Sequence, residues 1–170
     1  MRMITAAFVL ALTACTQPAP PASTPEPAAE APAPAAITGS FVAISTTAMG
    51  VTGDLDATPD VLSFALGLRI EGGRIDAALG PDTDLSAGGG TIADGSGNRT
   101  IETVELRRVT EVRVAADARD PNLCAGQAVT HAILARGTET LSLLVFSGAD
   151  APGPNAHNTQ LCGIYNYGIE

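Results

Sequence analysis

Apolar and polar residues alternate along several stretches of the chain, and alternation with a period of two predicts β-strands. In VLSFALGLRIE (residues 61–71), large apolar side chains occupy the even positions and small or polar residues occupy most of the odd ones. Gly72 and Gly73 follow, and then comes a second alternating stretch, RIDAAL (residues 74–79). Two alternating runs joined by Gly-Gly predict a hairpin whose tight turn lies at Gly72 and Gly73.

The C-terminal third of the chain has the same character. AVTHAILA (residues 128–135) and TLSLLVFSG (residues 140–148) are separated by a short polar connection, which predicts a second hairpin. CGIYNYGIE (residues 162–170) predicts a last strand, with Tyr165 and Tyr167 on one face. The second half of the chain therefore supplies at least three strands.

Three further stretches are rich in β-branched residues. SFVAISTT (residues 40–47) and MGVTGDL (residues 49–55) are interrupted by glycine, which predicts strands that carry a bulge. TIETVELRRVTEVRV (residues 100–114) allows two interpretations. Its threonine and valine content favours strands broken near Arg107 and Arg108, whereas the spacing of its glutamate and arginine residues also suits a helix.

The fold class that these patterns predict is mainly β. About eight short strands separated by Gly and Pro turns indicate a small antiparallel β-barrel or sandwich. The run GPDTDLSAGGG (residues 80–90) is expected to be a flexible loop. The length of 170 residues, with 45% hydrophobic and 16% charged residues, fits one domain with a core of its own.

Charge narrows the range of partners. Nine arginines and no lysine stand against eighteen acidic residues, which gives a formal net charge of −9. A chain of this charge repels phosphate backbones, so nucleic acid is not expected as a partner. The same charge opposes adsorption to anionic lipid, so that any membrane association requires a covalent or apolar anchor.

The N-terminal residues supply such an anchor. Arg2 precedes an uncharged apolar run, ITAAFVLAL (residues 4–12), which has the arrangement of a signal peptide and is about half the ~20 residues that a membrane-spanning helix needs. The run ends in Leu12-Thr13-Ala14-Cys15, which resembles the lipobox of bacterial lipoproteins. The resemblance implies cleavage before Cys15 and acylation, for example with palmitate, of its thiol and of the new amino group. Thr16 follows, rather than aspartate, which is similar to the outer-membrane sorting pattern of Gram-negative lipoproteins.

The chain is therefore divided into three parts. Residues 1–14 are predicted to be the signal peptide. Residues 15–36 begin with the lipidated cysteine and contain seven of the twelve prolines together with eight alanines, which predicts a disordered, extended tether. Residues 37–170 are predicted to form the β-rich globular domain. A cell-envelope location follows, with the domain facing the periplasm or the cell surface.

The cysteine count agrees with this division. Lipidation of Cys15 leaves Cys124 and Cys162, an even pair in a chain that has left the cytoplasm, and these are expected to form a disulfide. Such a bridge would stabilise the domain by about 3–4 kcal/mol in the chain-entropy account. A metal-binding or redox pair is the alternative, although the chain has no CxxC motif and no histidine cluster.

One stretch, DGSGNRTIETVE, resembles an EF-hand calcium loop. Asp94, Ser96 and Asn98 occupy alternate early positions and Glu105 occupies the twelfth, where a bidentate carboxylate would close the site. Two features depart from the pattern: Arg99 stands where the loop needs glycine, and the preceding SAGGGTIA is a poor helix former. The alternative is an exposed polar loop that leads into a strand.

Residues that point to catalysis are few. His131 lies in a predicted strand and His157 in a predicted loop, and neither has a recognisable nucleophile or metal-ligand partner. The sequence predicts a membrane-anchored envelope lipoprotein that is not an enzyme and whose β-rich domain binds an envelope protein or glycan. The alternatives are a calcium-dependent binding module that uses the loop from Asp94 to Glu105, and an enzyme that acts on envelope material.

Overall fold

The computed structural model describes residues 35–169, which form a closed barrel of antiparallel strands. Each strand pairs with its neighbours in chain order, and the first strand pairs with the last, with Phe41 opposite Ile169. The prediction of a small, mainly β barrel of about eight strands is confirmed. The strands are β1 (Gly39–Ala43), β2 (Leu55–Ala57), β3 (Val61–Phe64), β4 (Leu68–Ile75), β5 (Ile101–Val114), β6 (Val129–Gly137), β7 (Thr140–Gly148) and β8 (Thr159–Ile169), and the helices are α1 (Thr46–Val51) and α2 (Ile92–Ser96).

Side chains fill the interior of the barrel. Alternate residues of each strand point inward, as the period of two requires. Tyr165 and Tyr167 both belong to this inner cluster, as their spacing predicts, and the Tyr167 hydroxyl shares a 2.7 Å hydrogen bond with the hydroxyl of Thr52. The other members of the cluster include Phe41, Leu55, Leu62, Phe64, Leu68, Ile70, Ala132, Leu134, Leu141, Leu143 and Val145.

A second apolar cluster lies outside the barrel wall, on the outer face of β5 to β8. The connection between β4 and β5, which contains α2, covers this face and buries Leu85 and Ile92 against it. Strands β6 and β7 are therefore buried on both faces, which explains why TLSLLVF is almost continuously apolar instead of alternating. The outer cluster consists of Leu85, Ile92, Leu106, Ile133, Ala135, Leu144 and Phe146, with smaller contributions from partly buried neighbours.

The predicted hairpin turn at Gly72 and Gly73 is wrong. The chain reverses earlier, at residues 65–67, where Gly67 has a φ of +87° and its N–H donates to the carbonyl of Phe64. Gly72 instead lies inside β4, next to a register shift, and a Cβ atom there would come within 2.1 Å of the carbonyl oxygen of Arg108. Gly72 therefore allows a close approach of two strands, and neither glycine forms a turn.

The predicted strand over residues 49–55 is also corrected. Residues Thr46–Val51 form α1, because the Ser45 side chain accepts a hydrogen bond from the N–H of Ala48 and caps the helix. Only Leu55 of that stretch lies in a strand. Residues 101–114 form a strand and not a helix, as their threonine and valine content favours. The expected break is absent, because β5 continues through Arg107 and Arg108.

The strand predicted over residues 40–47 ends at Ala43, because α1 begins at Thr46, and the strand predicted over residues 74–79 ends at Ile75. The C-terminal strand predictions are confirmed. Strands β6 and β7 form the expected hairpin, and β8 is the expected last strand. Because neighbouring strands are antiparallel, their connections alternate between the two ends of the barrel. We call the end with Ile37 and the β2–β3 turn the entry end. The other, which we call the strap end, carries α1, the β3–β4 turn and residues 115–128, which connect β5 to β6 and which we call the strap.

Candidate functional site

A buried ion pair closes the entry end from inside the barrel. Glu105 and Arg107 lie two residues apart on β5, so both side chains point inward, and they are 1% and 2% exposed. The Arg107 Nε atom donates to Glu105 Oε1 at 2.6 Å. Its two terminal nitrogens donate to the carbonyl oxygens of Thr58, at 2.7 Å, and Ile37, at 3.0 Å. Both charges are therefore compensated by several short hydrogen bonds, as burial requires.

The same ion pair fixes the start of the folded domain. The N–H of Ile37 donates to Glu105 Oε2 at 2.5 Å, while the carbonyl of Ile37 accepts from Arg107. The Ile37 side chain packs in the inner cluster. Both backbone polar groups of the residue at which the domain was predicted to begin are therefore held inside the barrel. The pattern Glu-Leu-Arg in a strand was the signal in the sequence that could have revealed this pair.

The strap at the opposite end makes a tight, strained turn. Asn122 and Ala125 have φ values of 47° and 51°, in the left-handed region that residues with a Cβ atom rarely occupy. The turn is closed by the Asn122 side chain, whose Oδ1 accepts from the N–H of Gly126 at 2.5 Å, and by a 3.1 Å bond from the N–H of Ala125 to the Asn122 carbonyl. Strain of this kind persists only where other contacts hold the segment in place.

The predicted disulfide supplies such a contact. Cys124 on the strap is bonded to Cys162 on β8, with their Cα atoms 4.9 Å apart. Two hydrogen bonds also hold the strap. Ser147 Oγ donates to Gln127 Oε1 at 2.9 Å, and the N–H of Ala115 donates to the carbonyl of Gly67 at 2.9 Å. The disulfide thus holds the middle of the strap across the open end of the barrel.

A cleft separates the strap from β4 and β5. It has a volume of about 360 Å³ and opens to solvent. Val112 is paired with Ile70 and points toward the inner side of the wall, yet it is 38% exposed because the strap does not cover it. Asp120 is the only charged side chain among the described residues that line the cleft. The apolar part of the lining consists of Leu68, Val112, Pro121, Leu123, Ala128 and Val129, together with the Cys124 half of the disulfide.

A larger depression of about 620 Å³ adjoins the cleft along residues 120–122 of the strap. Its floor is formed by α1, the β3–β4 turn and the first half of the strap, and it contains Asp117, Arg119 and Asp120. Leu66 at its rim is exposed, as is Met49 on α1. The strap end therefore combines two concave surfaces with exposed apolar side chains, whereas the entry end is closed around Ile37.

The structure does not bring the predicted calcium ligands together. The Asp94 carboxylate caps α2, where it accepts from the N–H and hydroxyl of Thr91, and these bonds lower the pKa of Asp94. The Ser96 hydroxyl bonds to the helix backbone, and Asn98 accepts from the residue two positions later. Glu105 points into the barrel toward Arg107, so it cannot close a loop that lies outside the wall. Among residues 35–169 no group of three or more potential metal ligands is found.

The two histidines lie apart. His157 is exposed on the β7–β8 loop, where its N–H donates to Asp150. His131 is 3% exposed on β6, next to Arg108 of β5, and its Nδ1 atom lies 3.1 Å from the hydroxyl of Thr130. Its Nε2 atom is buried without a hydrogen-bond partner among the described residues. Burial first, and then the positive charge of Arg108, lower the pKa of His131.

This environment predicts a pH dependence of stability. Because the pKa of His131 is lower in the folded protein, the unfolded chain takes up a proton first as the pH falls through about 6.5. The free energy of unfolding is therefore expected to have its full value above about pH 7 and to decline as the pH falls through about 6.5 toward 5.5. Urea denaturation across this range measures the effect. His131→Gln should flatten the curve, whereas His157→Gln should leave it unchanged, and equal slopes for all three proteins would contradict the explanation.

Cys15 and the lipobox-like residues before it lie outside the described residues, as do the predicted signal peptide and nearly all of the predicted tether. Among residues 35–169, no helix has the length and apolar character needed to cross a bilayer. Lipidation of Cys15 stays a prediction from the sequence.

The described geometry offers two kinds of surface: a closed entry end built around an ion pair, and an open strap end with a cleft and a depression. His131 has the Thr130 hydroxyl as its hydrogen-bond partner and no acidic one among the described residues, and the hydrogen bonds of Glu105 and Arg107 are used within the barrel. The strap end is therefore the part of the domain best shaped for contact with another molecule. No family model, curated protein or solved structure matches this chain.

Proposed function

We propose that this protein is a membrane-anchored envelope lipoprotein whose β-barrel domain binds another envelope molecule and performs no catalysis of its own. The lipid on Cys15 would hold the chain at the membrane, and residues 16–36 would act as the tether. The strap end would carry the binding surface. The partner is a protein or glycan of the envelope, in keeping with the net charge of −9, which disfavours nucleic acid.

The observation that carries the proposal is the difference between the two ends of the barrel. The chain enters the domain at Ile37, where Glu105 and Arg107 bind both of its backbone groups. The cleft, the depression and the exposed side chains of Met49 and Leu66 lie at the other end. A domain joined to its tether at one end leaves the opposite end free to meet a partner.

The filled interior supports a surface function. Small barrels of eight strands hold either packed side chains or one small ligand. Here Leu134, Leu143 and Tyr167 are fully buried in the inner cluster, and the ion pair occupies the entry end. Recognition is therefore assigned to the outside of the strap end and not to the barrel lumen.

Replacement of Cys15 by serine is expected to release the protein from the membrane fraction, because serine has no thiol to acylate and the acyl chains supply nearly all of the membrane affinity. Fractionation of cells and intact-mass measurement check this. Thr13→Ser, which keeps a small residue and the cysteine, should stay membrane-bound. Unchanged mass and unchanged membrane recovery of Cys15→Ser would contradict lipidation.

Binding at the strap end is tested by site-specific photo-crosslinking in living cells. A crosslinking residue at Leu66 is expected to trap a defined envelope partner, while the same residue at Ser40, which is exposed on β1 at the entry end, is not. Equal crosslinking from both positions, or none from either, would contradict the proposed binding surface.

A further inference from the structure

Strand β5 has a free edge next to the cleft. Its pairing with β6 ends at Arg108 and His131, where β6 has a register shift and the two strands separate. Its pairing with β4 continues to Val114. Residues 110–114 of β5 are therefore paired on one side only, over a length of about 17 Å.

The ladder between β4 and β5 determines which backbone groups point to the free side. The N–H of Ala115 donates to the carbonyl of Gly67 at 2.9 Å, which makes this a hydrogen-bonded position of the antiparallel ladder. Such positions alternate along the strands, so the N–H and C=O groups of Val112 and Val114 point away from β4. Within residues 35–169 no backbone partner is found for these groups.

The side chains beside this edge add two requirements for a partner. Val112 is 38% exposed and lines the cleft together with Leu68, Leu123 and Val129, so an apolar side chain fits there. Asp120, at the rim of the same cleft, favours a basic neighbour. Unpaired strand edges with a side-chain pocket are the arrangement that extended peptides recognise by adding a strand.

We infer that residues 110–114 of β5 are a docking edge for an extended peptide segment of an envelope protein, which adds as a strand and places an apolar residue, flanked by a basic one, in the cleft. This inference rests on the proposed function and specifies its partner. A second copy of this chain is a poorer occupant, because both copies would carry the same net charge of −9.

The experiment uses the full-length purified protein and a synthetic peptide of alternating valine and threonine with a lysine at each end. Binding is followed by fluorescence anisotropy, and the site is located by hydrogen exchange of fragments that cover residues 109–116. Val112→Arg fills the cleft with a charged side chain. Val42→Arg is the matched control, because Val42 is also 38% exposed but lies on β1. A peptide N-methylated on alternate amides tests the backbone hydrogen bonds.

Amide exchange within residues 109–116 is expected to slow by about tenfold or more on binding. Val112→Arg should weaken binding at least about tenfold, while Val42→Arg should bind as the unchanged protein does. The N-methylated peptide should also bind more weakly. Thermal unfolding shows whether both variants are folded.

Three results would overturn the inference: no binding at millimolar peptide, equal affinity for the two variants, or protection confined to another part of the chain. Dimerisation that Val112→Arg abolishes, seen by analytical ultracentrifugation, would assign the edge to a second copy instead. Crosslinking from Leu66 in cells does not depend on this peptide. If crosslinking from Leu66 succeeds and the peptide does not bind, only the docking edge is refuted. If the peptide binds and crosslinking fails, the proposed cellular role is refuted.

Discussion

Replacing Arg107 by methionine is expected to lower the free energy of unfolding by about 3–5 kcal/mol, since it leaves the Glu105 carboxylate buried without its partner. The change also removes the bonds that Arg107 donates to the carbonyls of Thr58 and Ile37. Urea denaturation followed by circular dichroism measures the loss.

The double variant Glu105→Leu with Arg107→Met is the first control. It removes both charges together, so it should regain much of the stability that the single variant loses. The second control is Arg113→Met, which breaks an exposed pair with Glu111 on the same strand and should change stability little. A single Arg107→Met variant as stable as the unchanged protein would contradict the role of the ion pair.

Removal of the disulfide, by Cys124→Ala together with Cys162→Ala, is expected to destabilise the domain by about 4 kcal/mol in the chain-entropy account. The bridge closes a loop with a sequence separation of 38 residues. It also holds the strap in a conformation in which Ala125 has a φ of 51°, so its removal should allow that residue to relax. Guanidinium denaturation provides the measurement.

Reduction provides the control for this prediction. A dithiol should destabilise the unchanged protein by a similar amount and should have no effect on the double variant. Hydrogen exchange is expected to increase most in residues 115–128, because the disulfide holds the middle of the strap on the barrel. Stability that is unaffected by either treatment would show that the strap is held by its other contacts.

The strands of the barrel could largely be predicted from the sequence, because burial on one face produces a period of two that local residues reveal. The positions of the turns between the strands could not be predicted in this way. Gly72 and Gly73 have the composition of a turn, but Gly72 is needed where two strands approach closely, and only the path of β5 reveals that need. The helix α1 is capped by Ser45 and buries Ala48 in the core, and these contacts outweighed a β-branched composition.

Of the candidate site, only the disulfide could be predicted, because that prediction required only the number of cysteines. An even pair of cysteines, in a chain that the sequence predicts to be exported, predicted the disulfide between Cys124 and Cys162, which is confirmed. The cleft depends on where β5 and β6 separate, and their pairing ends at Arg108 and His131, a position that no local pattern marks. Glu105 is a further example of a position that local sequence does not reveal. Its spacing from Asp94 resembles that of a calcium loop, but it lies on β5 and its side chain points into the barrel.

The pairing of β1 with β8 has a consequence for the order in which the protein folds. Phe41 lies on the first described strand and its partner Ile169 on the last, so Phe41 is synthesised long before Ile169. The barrel therefore cannot close until β8 has been made, and β1 must wait, unpaired on that side, for that strand. The antiparallel ladder from β4 to β7 is local in sequence and can form first, so that closure of the cylinder is the final event of folding.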